Sequence, residues 1–175
     1  MSIIDLLKPS RPAIVALIAG ALGSLALAYS ASEARADTIC TWGGTPAAPT
    51  GMFTVHPGIT NTPASQPLYA EAVGDLGGPS GCKGQVTFAG QFDPGSTCNA
   101  FTIHGAVAGL PGVARFSGGG GVLSVDLLYD KEGNVVGSDQ PSVATAANLF
   151  HATDCNTPSG FTKGQFTSDI ELFGN

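Results

Sequence analysis

Apolar and polar residues take turns through much of the second half of the chain. Val86, Phe88, Gly90 and Phe92 alternate with Gln85, Thr87, Ala89 and Gln91. Phe101, Ile103, Gly105 and Val107 alternate with Thr102, His104, Ala106 and Ala108. Leu123, Val125, Leu127 and Tyr129 alternate with Ser124, Asp126 and Leu128. Phe166, Ser168, Ile170 and Leu172 alternate with Gln165, Thr167, Asp169 and Glu171. A period of two predicts strands that set one row on a core and the other in water. Shorter strand candidates are 38–43, 51–56, 67–75, 113–117, 134–138 and 145–153. Val143 to Phe150 reads equally well as a helix or a strand, and no other segment reads as a helix.

Turn residues separate these runs. Asp93-Pro94-Gly95-Ser96 predicts a tight hairpin between two strong strands. Leu110-Pro111-Gly112 punctuates the next pair. Asp130-Lys131-Glu132-Gly133-Asn134 fits a type I turn closed by a left-handed glycine. Gly118 to Gly121 predicts a bulge, a sharp bend or a mobile tip. Many short strands with such punctuation predict an all-β fold. It is a single antiparallel β-sandwich or a closed β-barrel of about eight or nine strands. Consecutive hairpins favour a meander, and closure would remove the exposed edges.

The first 36 residues read differently. Lys8 and Arg11 are followed by an uncharged, mostly apolar stretch from Pro12 to Tyr29, then by Ala34-Arg35-Ala36. That is the three-part pattern of a secretory signal peptide, cleaved before Asp37. The rival reading is an uncleaved anchor, for which the stretch is short and is interrupted by Pro12, Gly20 and Gly23. On the favoured reading residues 37–175 form one secreted or cell-envelope domain, with no membrane span once the leader is gone.

The four cysteines, Cys40, Cys82, Cys98 and Cys155, all lie after the leader, and no C-x-x-C pair occurs among them. An even count in an exported chain predicts two disulfides. If 84–92 is a strand, Cys82 and Cys98 lie roughly 25 Å apart at its two ends. A bridge needs α-carbons within about 7 Å, so Cys82–Cys98 is disfavoured. Of the two remaining connectivities, Cys40–Cys82 with Cys98–Cys155 is the favoured one.

Charge narrows the partners. The chain carries 7 Lys+Arg against 13 Asp+Glu; removing Lys8, Arg11, Arg35, Asp5 and Glu33 leaves 4 basic and 11 acidic groups, a net −7. Such a surface repels nucleic acid and anionic lipid. Small-molecule, glycan and protein partners outside the cell stay open.

No motif assigns a catalytic residue or implies a cofactor. There is no G-x-S-x-G serine, and His56, His104 and His151 are scattered without zinc spacing. Asp126, Asp130, Glu132 and Asn134 cluster around one hairpin as hard oxygen ligands suited to calcium, without the order of a calcium loop. Asp169 and Glu171 share one strand face and Glu71 lies on another strand; acids so placed either solubilise a sheet or serve glycoside hydrolysis. Trp42, beside Cys40, is either a stacking platform for a ligand or core packing. The expectation is therefore a non-catalytic binding domain or a structural component of the envelope. The alternative is a small secreted enzyme, a hydrolase or a cyclase-like barrel, with a pocket of carboxylates or of histidine with carboxylate.

Overall fold

Alternation becomes ladder almost everywhere in the computed structural model, which describes residues 37–120, 126–141 and 154–174. Twelve strands form: β1 Thr38–Trp42, β2 Gly44–Thr45, β3 Ala48–Pro49, β4 Gly51–Ile59, β5 Leu68–Gly77, β6 Gln85–Phe92, β7 Phe101–Ala108, β8 Arg115–Gly120, β9 Asp126–Tyr129, β10 Val135–Pro141, β11 Phe161–Phe166 and β12 Ser168–Leu172. A single 3-10 turn, Asp154–Asn156, is the only helical element among the described residues. The predicted segments 121–125 and 143–153, His151 included, lie outside them, as does the leader.

From β5 to β10 each strand pairs antiparallel with the next. β10 then pairs with β12 and β12 with β1, and β1 meets β5 at Thr41↔Gly77 and Trp42↔Leu76. The meander is thus closed into an eight-stranded antiparallel barrel with extra strands. β1 and β4 lie end to end along β5, with the small hairpin β2–β3 between them, and β11 and β12 continue each other along the opposite side. Closure gives each of the eight ring strands a partner on both sides, which a sandwich sheet denies its edge strands. Followed from Leu68 across the ladder through Phe92, Ile103, Asp139, Ile170 and Cys40, the register returns to β5 about ten residues further along, the stagger that tilted barrel strands require.

One row of every strand turns inward. Cys40, Trp42, Phe53, Val55, Ala70, Ala72, Leu76, Val86, Phe88, Phe92, Ile103, Leu128 and Ile170 are buried there. Rings lie against wall positions that have no side chain: Phe88 over Gly90 and Gly105, Phe101 over Gly120, Phe166 over Gly51. The glycines inside the alternating runs therefore make room for neighbouring aromatics. Gly118–Gly120 carries β8 on in register with β7, where the sequence suggested a bulge, a bend or a mobile tip; Gly121 lies outside the described residues.

Two further expectations change. The turn at Asp93–Ser96 forms, with the Ser96 amide donating to the Asp93 carbonyl at 3.2 Å. The chain then runs on to Phe101, so the connection is a long loop rather than a tight hairpin. In β9 the more apolar row is the outer one: Leu127 and Tyr129 are partly exposed, whereas Asp126 and Leu128 are buried. Leu128 lies opposite Phe116 on one side and Gly137 on the other, and closure fixes that face as the inner one.

The bridges join Cys40 to Cys82 and Cys98 to Cys155, the favoured pairing. The first ties the wall to the loop before β6. The second ties the 93–100 loop to the 3-10 turn at the other end of the barrel. Around it Asn61 accepts from Asn99 at 3.0 Å and donates to Asn156 at 2.8 Å.

Candidate functional site

Asp126 and Asp139 are direct cross-strand partners on β9 and β10. Both side chains face the interior and both residues are only 9% exposed. Directly opposite residues on one sheet face hold their β-carbons about 5 Å apart, so the two carboxyl groups are neighbours.

The wall around them explains how the chain tolerates this. At Gly118 on β8 the Asp126 carboxylate and the tip of the Phe116 ring occupy the space that a side chain would fill. Asp126 Oδ1 there accepts the Gly119 backbone N–H at 2.9 Å. Asp139 has less support. Its Oδ1 is buried without a hydrogen-bond partner among the described residues, and so is the Ser168 hydroxyl. Ser168 is 3% exposed and lies diagonally across the ladder, since Asp139 pairs with Ile170 and Pro141 with Ser168. On its other side Ser168 pairs with Trp42. The result is one polar spot of two carboxyls and a hydroxyl, set among Trp42, Phe116, Leu128 and Ile170.

Burial governs the charge state. Loss of water pushes the Asp139 carboxyl from 3.8 up to about 7; the nearby Ser168 hydroxyl, outside hydrogen-bonding geometry, opposes this in part, and the charges of Asp126 and Asp169 add to it. Burial likewise raises Asp126 to about 6, against the opposing pull of the Gly119 amide. Two such neighbours titrate as a pair. Between about pH 4 and 7 the pair keeps protons that exposed carboxyls would shed. It can therefore donate a hydrogen bond or a proton as well as accept one, and when ionised it can hold a cation.

The residues that sequence singled out lie elsewhere, with one exception. Of the calcium candidates, Asp126 points into the barrel. Asp130 stays in the turn, where its carboxylate accepts from the Asn134 backbone amide at 2.8 Å and from its side-chain amide at 2.9 Å. Those bonds lower the Asp130 pKa. Glu132 stands exposed beside Lys131 at 3.6 Å. Among the described residues no three His, Cys, Asp or Glu side chains come together as a metal-binding group. Glu71, Asp169 and Glu171 are on the outer wall, opposite Thr54, Thr41 and Ile39. His56 is exposed opposite Tyr69. His104 is half exposed on the outer wall, its Nδ1 3.1 Å from Asp93 and its Nε2 3.5 Å from the Gln91 amide. Trp42 is inside: its Nε1 donates to the Gly74 and Val86 carbonyls at 3.1 and 3.3 Å, and its ring meets Phe166 edge-on at 4.5 Å.

Asp139 and Ser168 were not singled out from sequence as site residues. The β10 run Val135-Val136-Gly137-Ser138-Asp139 has no alternation to read. A register shift between Val135 and Gly137 adds to this. Without that bulge Tyr129↔Val135 would set Asp126 against Ser138; with it, Asp126 faces Asp139.

No family model, curated protein or solved structure matches the chain.

Proposed function

We propose that the protein is an exported binding barrel that takes a small molecule into its interior, with Asp126, Asp139 and Ser168 as the polar contact. The observation that carries this reading is the carboxyl pair itself. Raising Asp139 from 3.8 to about 7 costs the folded state on the order of 4 kcal/mol above neutral pH. A filled barrel needs no acids inside, and an apolar residue at 139 would avoid the cost. Groups kept at such expense, with buried atoms lacking partners, are characteristic of sites rather than of scaffolds. An interior of eight strands is wide enough for packed side chains or for one small ligand.

Two disulfides fit an oxidising compartment. Among the described residues no helix is long and apolar enough to cross a membrane. With the leader cut before Asp37, the mature chain would be released or held in the envelope. Mass spectrometry of the exported protein should give a chain beginning at Asp37 with no alkylatable thiol. A retained leader contradicts the first half of that expectation and free thiols the second.

Trp42 is the sole tryptophan and its ring lines the interior. Its fluorescence should change saturably as a library of small molecules is titrated, and Asp139→Asn should weaken the binding so reported by about tenfold or more while the sheet circular dichroism is kept. An Asp139→Asn protein that binds as the wild type does would remove the pair from the site. The raised carboxyls also favour a second reading, a small barrel enzyme in which the pair serves as general acid and base. Recovery of the bound compound chemically altered, by the wild type but not by Asp139→Asn, would establish that reading.

A further inference from the structure

We propose that the ligand of this interior site is a small organic cation, an amine whose ammonium group is held by Asp126, Asp139 and Ser168 and whose apolar part lies against the surrounding rings. This rests on the binding-barrel reading and names the ligand class for it.

The vacant hydrogen-bonding capacity matches an ammonium group. Asp139 Oδ1 and Ser168 Oγ are buried acceptors without partners among the described residues. Across the ladder from Asp139 stands the second carboxylate, Asp126. A primary ammonium offers three donors and no acceptor, one for each of the three oxygens, and leaves the Ser168 O–H to donate to a carboxylate. With the pair ionised, as at pH 8, a carboxylate or phosphate ligand would bring only further acceptors and a like charge.

Charge balance points the same way. Among the described residues neither aspartate is in an ion pair; the only such contacts are His104 with Asp93 and Lys131 with Glu132. The charged groups on the packed strands do not compensate them. Arg115 on β8 lies over the Tyr129 ring at 5.8 Å on the outer side of the wall. From β12, Asp169 acts on Asp139 as a further negative charge. An ion pair formed inside restores both carboxylates to their charged state, which desolvation alone opposes.

The surroundings then select an organic cation over a metal ion. Calcium takes six to eight oxygens, and the site offers two carboxyls and one hydroxyl. Around it are Trp42, Phe116, Leu128 and Ile170, surfaces that suit a hydrocarbon body and, for the two rings, an adjacent cation. Beyond these three groups, the buried polar side chains among the described residues are only Ser96 and Thr167. A ligand with one charged head and an apolar body fits such an interior better than a polyol does.

The test is calorimetry on the exported, disulfide-intact protein. The probes are primary amines from butylamine to 2-phenylethylamine, each beside its alcohol and its carboxylate counterpart, with calcium chloride as a separate arm. At pH 8 at least one amine should bind saturably, its alcohol about tenfold more weakly or worse, and its carboxylate not at all. Affinity should fall on the order of tenfold per pH unit below 7, and binding near pH 6.5 should release protons. Asp139→Asn should weaken amine binding by about tenfold or more without lowering the melting temperature. Ser168→Ala should weaken it less, and it is the second variant should Asp139→Asn fail to fold. An alcohol that binds as tightly as its amine overturns the amine assignment and leaves the binding barrel standing. So does saturable calcium binding lost in Asp139→Asn. No saturable binding by the amines overturns the assignment; if the library titration of Trp42 is also flat, the barrel reading goes with it.

Discussion

Asp139 is the residue whose surroundings most oppose its chemistry, and that opposition has a measurable consequence. Its folded-state pKa, about 7, stands above the unfolded value of 3.8. The native state therefore holds a proton that the unfolded chain has released, and stability falls as pH rises between about 4 and 7. Asp126, raised to about 6, acts in the same sense. Asp130, lowered by its bonds within the turn, acts in the opposite sense, and only at more acid pH. Thermal melts of the wild type should accordingly show a rise in melting temperature of several degrees from pH 8 to pH 5. Asp139→Asn should remove most of that rise and should be the more stable protein at pH 8. A wild-type curve that falls on acidification from 8 to 5 contradicts the buried placement. The sequence displayed Asp126 and hid Asp139, because a carboxylate in an irregular run has no row to declare its face. Ser168 was legible as a member of an apolar row, yet its place beside an acid depends on β10.

Strands and turns were the most legible level. The rows of β6, β7 and β12 sit as alternation predicts, because one water-facing and one core-facing row is what a closed wall requires. The 130–134 hairpin also forms as read: Asp130 and Asn134 bond across it and Gly133 adopts φ +92°. Gly133→Val should therefore cost roughly 1 kcal/mol or more in urea unfolding, and an unchanged midpoint would mean that the turn is otherwise built. Where neighbours set the face, the pattern misled. β9 turns its aspartate inward because Leu128 is needed between Phe116 and Gly137. Gly118 has no side chain because a carboxylate and a ring share its place. Gly118→Val should displace both and destabilise by about 1–3 kcal/mol, and it should weaken any ligand that depends on Asp126. A neutral effect on stability and binding would show that the space is not shared.

At the scale of the molecule, composition and cysteine placement predicted a disulfide-stapled all-β domain, while the choice between sandwich and barrel was not legible. That choice turns on one contact, β1 with β5, which joins the beginning of the described chain to a strand some 35 residues later. Only β1 and β12, from opposite ends of the described chain, complete the ring, and no local pattern encodes such a pairing. The bridges persist in the unfolded chain and restrict its freedom, which favours the folded arrangement. They close separations of 42 and 57 residues, each worth about 4 kcal/mol on the loop-entropy model. Replacing Cys98 and Cys155 together by serine should lower stability by roughly that amount while leaving Cys40–Cys82 intact, as denaturant unfolding and thiol counting would show.

The site reading depends on two neighbouring carboxyls lying inside a closed wall, and carboxyl-carbon NMR reports on that directly. With aspartate side chains labelled with carbon-13 and the Asp126→Asn and Asp139→Asn variants used for assignment, the pair should titrate with apparent values of about 6 and about 7. Asp126→Asn should lower the Asp139 value, because the Asp126 charge contributes to it. Both carboxyls titrating near 4, independently of one another, would place them in water and contradict the account.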